Sequence, residues 1–266
     1  LGVGEMAGSG RGGRRACAGG AQDRVAVSHY DGEDRVWRHT DAQGLVTEHF
    51  YDASGNRVRT VKTDSQSDER RLSRQRYDQH GRLTGELNAA GSQLLRDDMS
   101  RDEVGALYQQ YGTRHFYNAD QLRTHSIDAN GHKRYYYYSQ AGRLSVEINA
   151  LGDVREYQRD AFGQVVAQID YAERLDTTNL RGGYLTAALQ QSLSALVSAQ
   201  DRRTLTSYSR RGEITQLTDA EGYRTRHQYN GYGERVQQWQ DIELDEQGLA
   251  SRQVRHEYYY DDRGLL

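Results

Sequence analysis

From residue 25 onward the chain alternates between apolar and polar positions in short runs. In Arg143–Ile148, residues Leu144, Val146 and Ile148 occupy every second place with polar residues between them, the period of a strand with one apolar face. Runs of six or seven such residues, about 20 Å of extended chain at ~3.3 Å per residue, are separated by a recurring four-residue word, Asp/Asn-x-x-Gly. The word occurs eleven times, beginning at Asp41, Asp52, Asp78, Asn88, Asp128, Asn149, Asp160, Asp219, Asn230, Asp245 and Asp261, and Ser139 and Ser209 head two serine variants. Along the clearest stretch the turn starts Asn118, Asp128, Ser139, Asn149 and Asp160 advance by 10, 11, 10 and 11, a period of 21 residues.

The chemistry of the word explains its spacing. A short polar side chain at the first position accepts hydrogen bonds from backbone NH groups two or more residues on, and glycine at the fourth adopts positive φ without steric cost. Gly55, Gly81, Gly142, Gly152, Gly163, Gly212, Gly222, Gly233 and Gly264 hold that place. Each 21-residue unit is therefore expected to be two antiparallel strands and two turns, and about nine units give an all-β antiparallel repeat sheet.

One segment departs from the pattern. Residues 172–205 contain no turn word, and Leu185, Ala188, Leu189, Leu193, Leu196 and Val197 recur at intervals of three and four, predicting an amphipathic helix over 184–199 that covers apolar side chains of the sheet. The expected organisation is a disordered Gly/Arg/Ala-rich leader over 1–24, repeat sheet over 25–171, a helical insertion over 172–205, and repeat sheet over 206–266. The leader has no apolar run of signal-peptide length. Gly8, Gly10 and Gly13 fit the spacing of a dinucleotide loop, but no strand precedes them and no helix pattern follows. The repeat spacing also slips near 92–114.

Alternate turns carry a second mark, a tyrosine immediately before the turn residue: Tyr30, Tyr51, Tyr77, Tyr117, Tyr138, Tyr208, Tyr229 and Tyr260. Recurring once per unit, it can form a ladder along one edge of the sheet, with Arg82, Arg143 and Arg263 placed to stack or pair beside it. Strings such as RYDQHGRLTGELNAAG and YYSQAGRLSVEINALGDVREY resemble the YD repeats of the Rhs family, over about residues 29–170 and 206–266. The pairs Tyr51-Asp52, Tyr77-Asp78 and Tyr260-Asp261 carry the signature most directly.

That resemblance implies a curved β-sheet shell, as in Rhs proteins and the B and C components of insecticidal toxin complexes, with teneurin ectodomains similar in the same feature. It implies enclosure and delivery of a polymorphic toxin segment in bacterial competition or host intoxication. The partners would be a C-terminal toxin segment or further YD repeats of the same polypeptide, and the full-length protein would be secreted or on the cell surface. About nine units are too few to close such a shell, so the chain is expected to be a fragment or a relic, with open sheet edges prone to association. With no proline there is no Asp-Pro-x-Gly-Leu terminus, so self-cleavage is not expected.

Composition agrees with a thin layer. Mean hydropathy is −0.97 with 35% hydrophobic residues, too few to fill a closed core, while 20 Tyr and an arginine-dominated basic set suit a sheet wetted on at least one face. A net charge of −3 gives no global field for nucleic acid, no stretch is apolar enough for a membrane span, and the single Cys17 excludes a disulfide framework. Asp97-Asp98 and Asp261-Asp262 are adjacent carboxylates that point apart, and the histidines show no metal-ligand spacing. No catalytic residue, cofactor or metal is expected, and the chain is read as a non-enzyme. The alternative is a carbohydrate or cell-surface binding module in which exposed tyrosine rows, Tyr135–Tyr138 and Tyr258–Tyr260, stack on glycan rings while arginines hold the hydroxyls.

Overall fold

The structure, a computed structural model, describes residues 25–261 apart from 66, 68 and 246. The expected leader with Cys17, and Gly264 and Arg263 at the other end, lie outside the described residues. Among the described residues there are eighteen strands and three short helices, an all-β fold built mostly from antiparallel ladders. The described residues fall into two compact units, one reaching Phe116 and including Ser126–Lys133, the other formed by Tyr117–His125 and Arg134 onward.

In the first unit the strands β1 (Val27–Tyr30), β2 (Val36–Thr40), β3 (Leu45–Tyr51), β4 (Arg57–Asp64), β5 (Arg70–Tyr77), β6 (Leu83–Leu87) and β7 (Gly112–Tyr117) pair each with the next. Most of β3 is neither buried nor fully exposed along its whole length, the state of a strand in a single layer. The stretch where the repeat spacing slips contains two helices, α1 (Ala89–Leu94) and α2 (Arg101–Tyr111). They leave and return at directly opposed residues, Leu87 and Gly112, so the ladder continues beneath them. Their apolar side chains, Leu107 and Tyr108, bury Leu87 in a small local core.

Asn88-Ala89-Ala90-Gly91, expected as a hairpin turn, is instead the start of α1. Asn88 Oδ1 accepts from Gly91 N at 2.9 Å as a helix N-cap, and Gly91 does not take positive φ. The same side-chain chemistry serves a turn or a cap, and the Tyr111 backbone, whose carbonyl accepts from Asn88 N, decides between them. Helix α2 opens with a reciprocal capping box, Ser100 with Glu103.

Beyond β8 (Arg123–Ile127), the second unit continues with β9 (Lys133–Tyr138), β10 (Leu144–Ile148), β11 (Val154–Arg159), β12 (Val165–Asp170), the two-residue β13 (Gly183–Tyr184), helix α3 (Ala187–Leu196), then β14 (Arg202–Tyr208), β15 (Ile214–Thr218), β16 (Arg224–Tyr229), β17 (Arg235–Leu244) and β18 (Ala250–Glu257). From β9 to β12 and from β14 to β18 each strand pairs with its successor. Across the insertion β12 pairs directly with β14, Asp170 opposite Arg202. The insertion therefore occupies residues 171–201, ending four residues earlier than the spacing suggests, and it bulges out of a continuous ladder. Helix α3 lies within the predicted span but is shorter at both ends, with Thr186 as its N-cap. Leu189 and Leu193 pack on Tyr135, Tyr137, Val146, Ile148 and Val154, where Val146 and Ile148 are fully buried.

Gly182 and Gly183 let the chain enter this helix. Gly182 has φ +72°, and a Cβ there would stand 1.9 Å from the carbonyl oxygen of Thr124. The backbone thus passes close enough for β13 to add in parallel to the end of β9, with Leu185 N donating to Tyr138 O at 2.8 Å.

Candidate functional site: the tyrosine rim

Apart from Asn88–Gly91, every turn word closes in the same way, the Asp261 word lying outside the described residues. In Asp52–Gly55, Gly55 N donates to Asp52 O at 3.0 Å, Asp52 N donates to Asn56 O at 2.9 Å, and Asp52 Oδ1 accepts from Ser54 N and Asn56 N. This is a type I turn followed by a left-handed residue, Gly55 at φ +82°. The other turn glycines repeat it, from Gly81 and Gly142 (both φ 72°) through Gly152, Gly163, Gly212 and Gly233 to Gly222 at 94°.

The tyrosine turns share a bulge, which is also present at the Asp245 turn on the opposite rim, where Leu244 faces Ala250 but Glu243 faces Arg252. In seven hairpins on this rim, six ending in tyrosine and one in Arg159, the pairing shifts by one residue just before the rim residue: Tyr51 faces Arg57, but Phe50 faces Arg59, so Val58 is unmatched. The shift recurs at Tyr30, Tyr77, Tyr138, Arg159, Tyr208 and Tyr229. A bulge ends the regular pairing of that strand with its next neighbour and leaves one carbonyl without a ladder partner.

The rim tyrosine of the next repeat supplies the missing donor. Tyr51 Oη donates to Val36 O at 2.7 Å, Tyr77 to Arg57 O at 3.1 Å, Tyr138 to Arg123 O, Tyr208 to Val165 O and Tyr260 to Arg235 O at 3.0 Å, and Tyr229 to Ile214 O at 2.9 Å. In each case the acceptor is the fifth residue after the preceding turn start. Where the repeat has Arg159 instead of tyrosine, its guanidinium donates to Leu144 O at 3.1 Å, the same place in the pattern. Burial raises the pKa of the Tyr77 and Tyr138 phenols, so both stay protonated donors.

The arginines after the turns act differently from one another. Arg82 grips its own turn, donating from Nε to Asp78 Oδ2 at 2.7 Å, and this ion pair with the backbone donors holds Asp78 at a pKa of about 2. Arg143 lies over Gly163 of the next turn along the same rim, where a Cβ would meet its guanidinium. Arg35 does stack, 4.5 Å from the centre of the Tyr51 ring. The bulge and the carbonyl that it frees are not visible as a sequence motif.

The tyrosine runs do not form exposed rows. Tyr135 and Tyr137 are buried beneath α3, Tyr137 Oη accepting from Arg181 N, while Tyr136 lies under Arg123 and Tyr138 is bound at the rim. Of the second run only Tyr259 is strongly exposed; Tyr258 donates to Gln238 and Tyr260 to Arg235 O. Asp97 and Asp98 lie between α1 and α2, Asp98 paired with Arg96. Among the described residues no three His, Cys, Asp or Glu side chains gather as a metal-ligand set, and no helix is long and apolar enough to cross a membrane.

Comparison with known proteins places a name on this geometry. Residues 30–67, which span the Tyr30 and Tyr51 turns, match the family model described as RHS Repeat. Over those residues the chain matches an RHS repeat. No curated protein matches it in sequence. Among solved structures, TcdB2-TccC3-Cdc42 aligns at 13% identity and TM-score 0.34, and TcdB2-TccC3 without its hypervariable C-terminal region at 14% and 0.34. A Photorhabdus luminescens Tc holotoxin pore aligns at 14% and 0.34. Each alignment covers 90% of this chain and 15% of the other. A likeness of that strength carries no argument about shape or activity, and the RHS repeat rests on the matched residues and on the rim they form.

Proposed function

We propose that this chain is a stretch of wall in an RHS-type shell whose role is structural: to enclose a polypeptide, in the longer protein a toxin segment, until delivery. The reading adds secretion or display at a cell surface, and further YD repeats of the same polypeptide as neighbours. The observation that carries it is the rim bond. A rim donor, the hydroxyl of six tyrosines and the guanidinium of Arg159, reaches a carbonyl of the repeat before, so these units are completed by their neighbours, and a ladder of this kind extends by adding units. Strands half-buried on both faces support it too, because a layer with an accessible space on either side needs Tyr, Arg and Thr more than a thick apolar core.

The experiment is protease protection in the full-length protein that contains this chain. The enclosed segment should resist added protease while the wall is folded and become sensitive when rim tyrosines such as Tyr208 and Tyr229 are changed together to Phe. Cleavage of that segment at the same rate with the wall intact and with it weakened would overturn the proposal.

A further inference from the structure

One face of β1 to β5 in the first unit carries a groove of about 630 Å³, the size of a small-molecule site, with a lining that the wall reading does not require. The register builds it from two neighbouring rows of side chains. Across the first row Ser28 faces His39, His39 faces Thr47 and Thr47 faces Lys62; across the second His49 faces Thr60 and Thr60 faces Ser73. Arg57 and Lys62, both exposed, stand along β4 on either side of the buried Thr60 and line the same groove. Among the described residues Val36 is its one apolar lining residue, and no Asp, Glu, Phe, Tyr or Trp lines it.

The two imidazoles are held in place. Ser28 Oγ and His39 Nδ1 are 2.9 Å apart, and Thr60 Oγ1 and His49 Nδ1 3.2 Å, so one nitrogen of each ring is tied to the sheet and Nε2 is the one left for a ligand. The field in the groove is positive. Burial, and then the charges of Arg57, Lys62 and His39, push the His49 pKa below its ordinary value, and every charged group acting on it is a cation or an imidazole. Asp64, Glu69 and Glu86 are near in the chain or across the ladder, but none lines the groove and each is engaged. Asp64, at the end of β4, accepts from Ser67 Oγ at 3.0 Å, Glu69 pairs at 3.1 Å with Arg71, which faces Lys62, and Glu86 lies 3.3 Å from His115. Arg57 and Lys62 have no ion-pair partner among the described residues.

We propose that this groove binds a small phosphorylated ligand, its phosphate oxygens accepting hydrogen bonds from Lys62, Arg57 and the Nε2 atoms of His39 and His49. Cations and hydroxyls without a carboxylate among them suit a group whose outward atoms are all acceptors. Donors that converge from several strands fit a tetrahedral phosphate, with oxygens in several directions, better than a planar carboxylate. With no Phe, Tyr or Trp in the lining, the groove lacks the stacking surface that a neutral sugar would use. The inference does not depend on the chain being a shell wall.

The test titrates inorganic pyrophosphate into the whole chain and follows the imidazole signals by NMR, with citrate and glucose as comparison ligands. The His39 and His49 rings should shift saturably, and the His49 titration midpoint should rise in the bound state, because a neighbouring anion favours the charged ring. Lys62→Gln should weaken binding at least about tenfold, the size of one lost charge-assisted hydrogen bond, and Lys62→Arg should restore most of it. Lys133→Gln, which removes the chain's other lysine, on β9, should leave binding unchanged. Arg57→Gln, at a second exposed position, serves as an independent variant and should weaken binding as well. The proposal is overturned if the two rings do not respond, if citrate or glucose binds as tightly, if Lys62→Gln and Arg57→Gln bind like wild type, or if Lys133→Gln weakens binding as much as Lys62→Gln.

Discussion

Two glycines in identical turns allow the cost of conformation to be separated from the cost of close approach. Gly152 and Gly222 both end a turn on the rim that lacks tyrosine, both lie in the second unit, and both have φ near +90° (88° and 94°). Around Gly222 there is space: a Cβ would meet Leu244 Cδ1 at 3.7 Å, an ordinary contact. Around Gly152 there is none, because the same atom would stand 2.1 Å from the carbonyl oxygen of Leu175, whose NH donates to Gly152 O at 2.9 Å. Alanine in the left-handed region costs ~1–2 kcal/mol, and the stiffer unfolded chain gives back part of it, so Gly222→Ala should lose about 1 kcal/mol. Gly152→Ala carries that loss plus ~1–3 kcal/mol of overpacking against backbone that cannot swing aside. In urea, with a slope of ~2 kcal/mol per molar, the Gly152 midpoint should fall below the Gly222 midpoint by ~0.5–1.5 M. Equal midpoints would refute the argument that the insertion is pinned to the sheet at this turn.

Other outcomes follow from the rim and the helix. Tyr229→Phe removes one neutral hydrogen bond and should cost ~0.5–1.5 kcal/mol by denaturation, and at the variant position Arg159→Tyr should retain more stability than Arg159→Ala. Asp78 has a pKa lowered from 3.8 to about 2 in the folded chain, so the stability it contributes is present above pH 4 and lost as pH falls toward 2. Acid unfolding of Asp78→Asn, followed by circular dichroism, should be flatter than wild type across that window. Leu189→Ala and Leu193→Ala, both in the core under α3, should each cost ~2–5 kcal/mol and raise dye binding to the exposed sheet.

The turns were legible in the sequence because their chemistry is local: an acceptor at the first position and a glycine at the fourth suffice to write them. The amphipathic helix was legible in kind for the same reason, although the strand register at Asp170 and Arg202, and not the apolar spacing, sets where its insertion ends. Helices α1 and α2 were missed because Asn88–Gly91 satisfies the turn word and the cap equally well, yet Ser100 and Glu103, spaced as a capping box, were a readable signal. The bulges were not legible. Val58 looks like any strand residue, and its lack of a partner depends on pairing with β3, a long-range fact. The tyrosine at each rim marks the consequence of the bulge, and so its place could be read before its partner could.

The two helical insertions suggest why such a ladder can lengthen at one kind of turn and not at the other. Residues 88–111 and 171–201 each replace a turn at the strand ends opposite the tyrosines, and each leaves and re-enters at paired residues. A turn at the tyrosine rim is tied to both neighbours, through its bulge to one and through its hydroxyl bond to the other, so opening it would break bonds in two repeats. The opposite rim has no such recurring donor bond between repeats among the described residues. Growing a turn there from four residues to about thirty is roughly three doublings of loop length, ~2 kcal/mol of closure entropy, and burying Leu189 and Leu193 offsets a loss of that size. The rim with tyrosine is therefore the part that must repeat faithfully, and the rim without it is where new surface can be added to the same sheet.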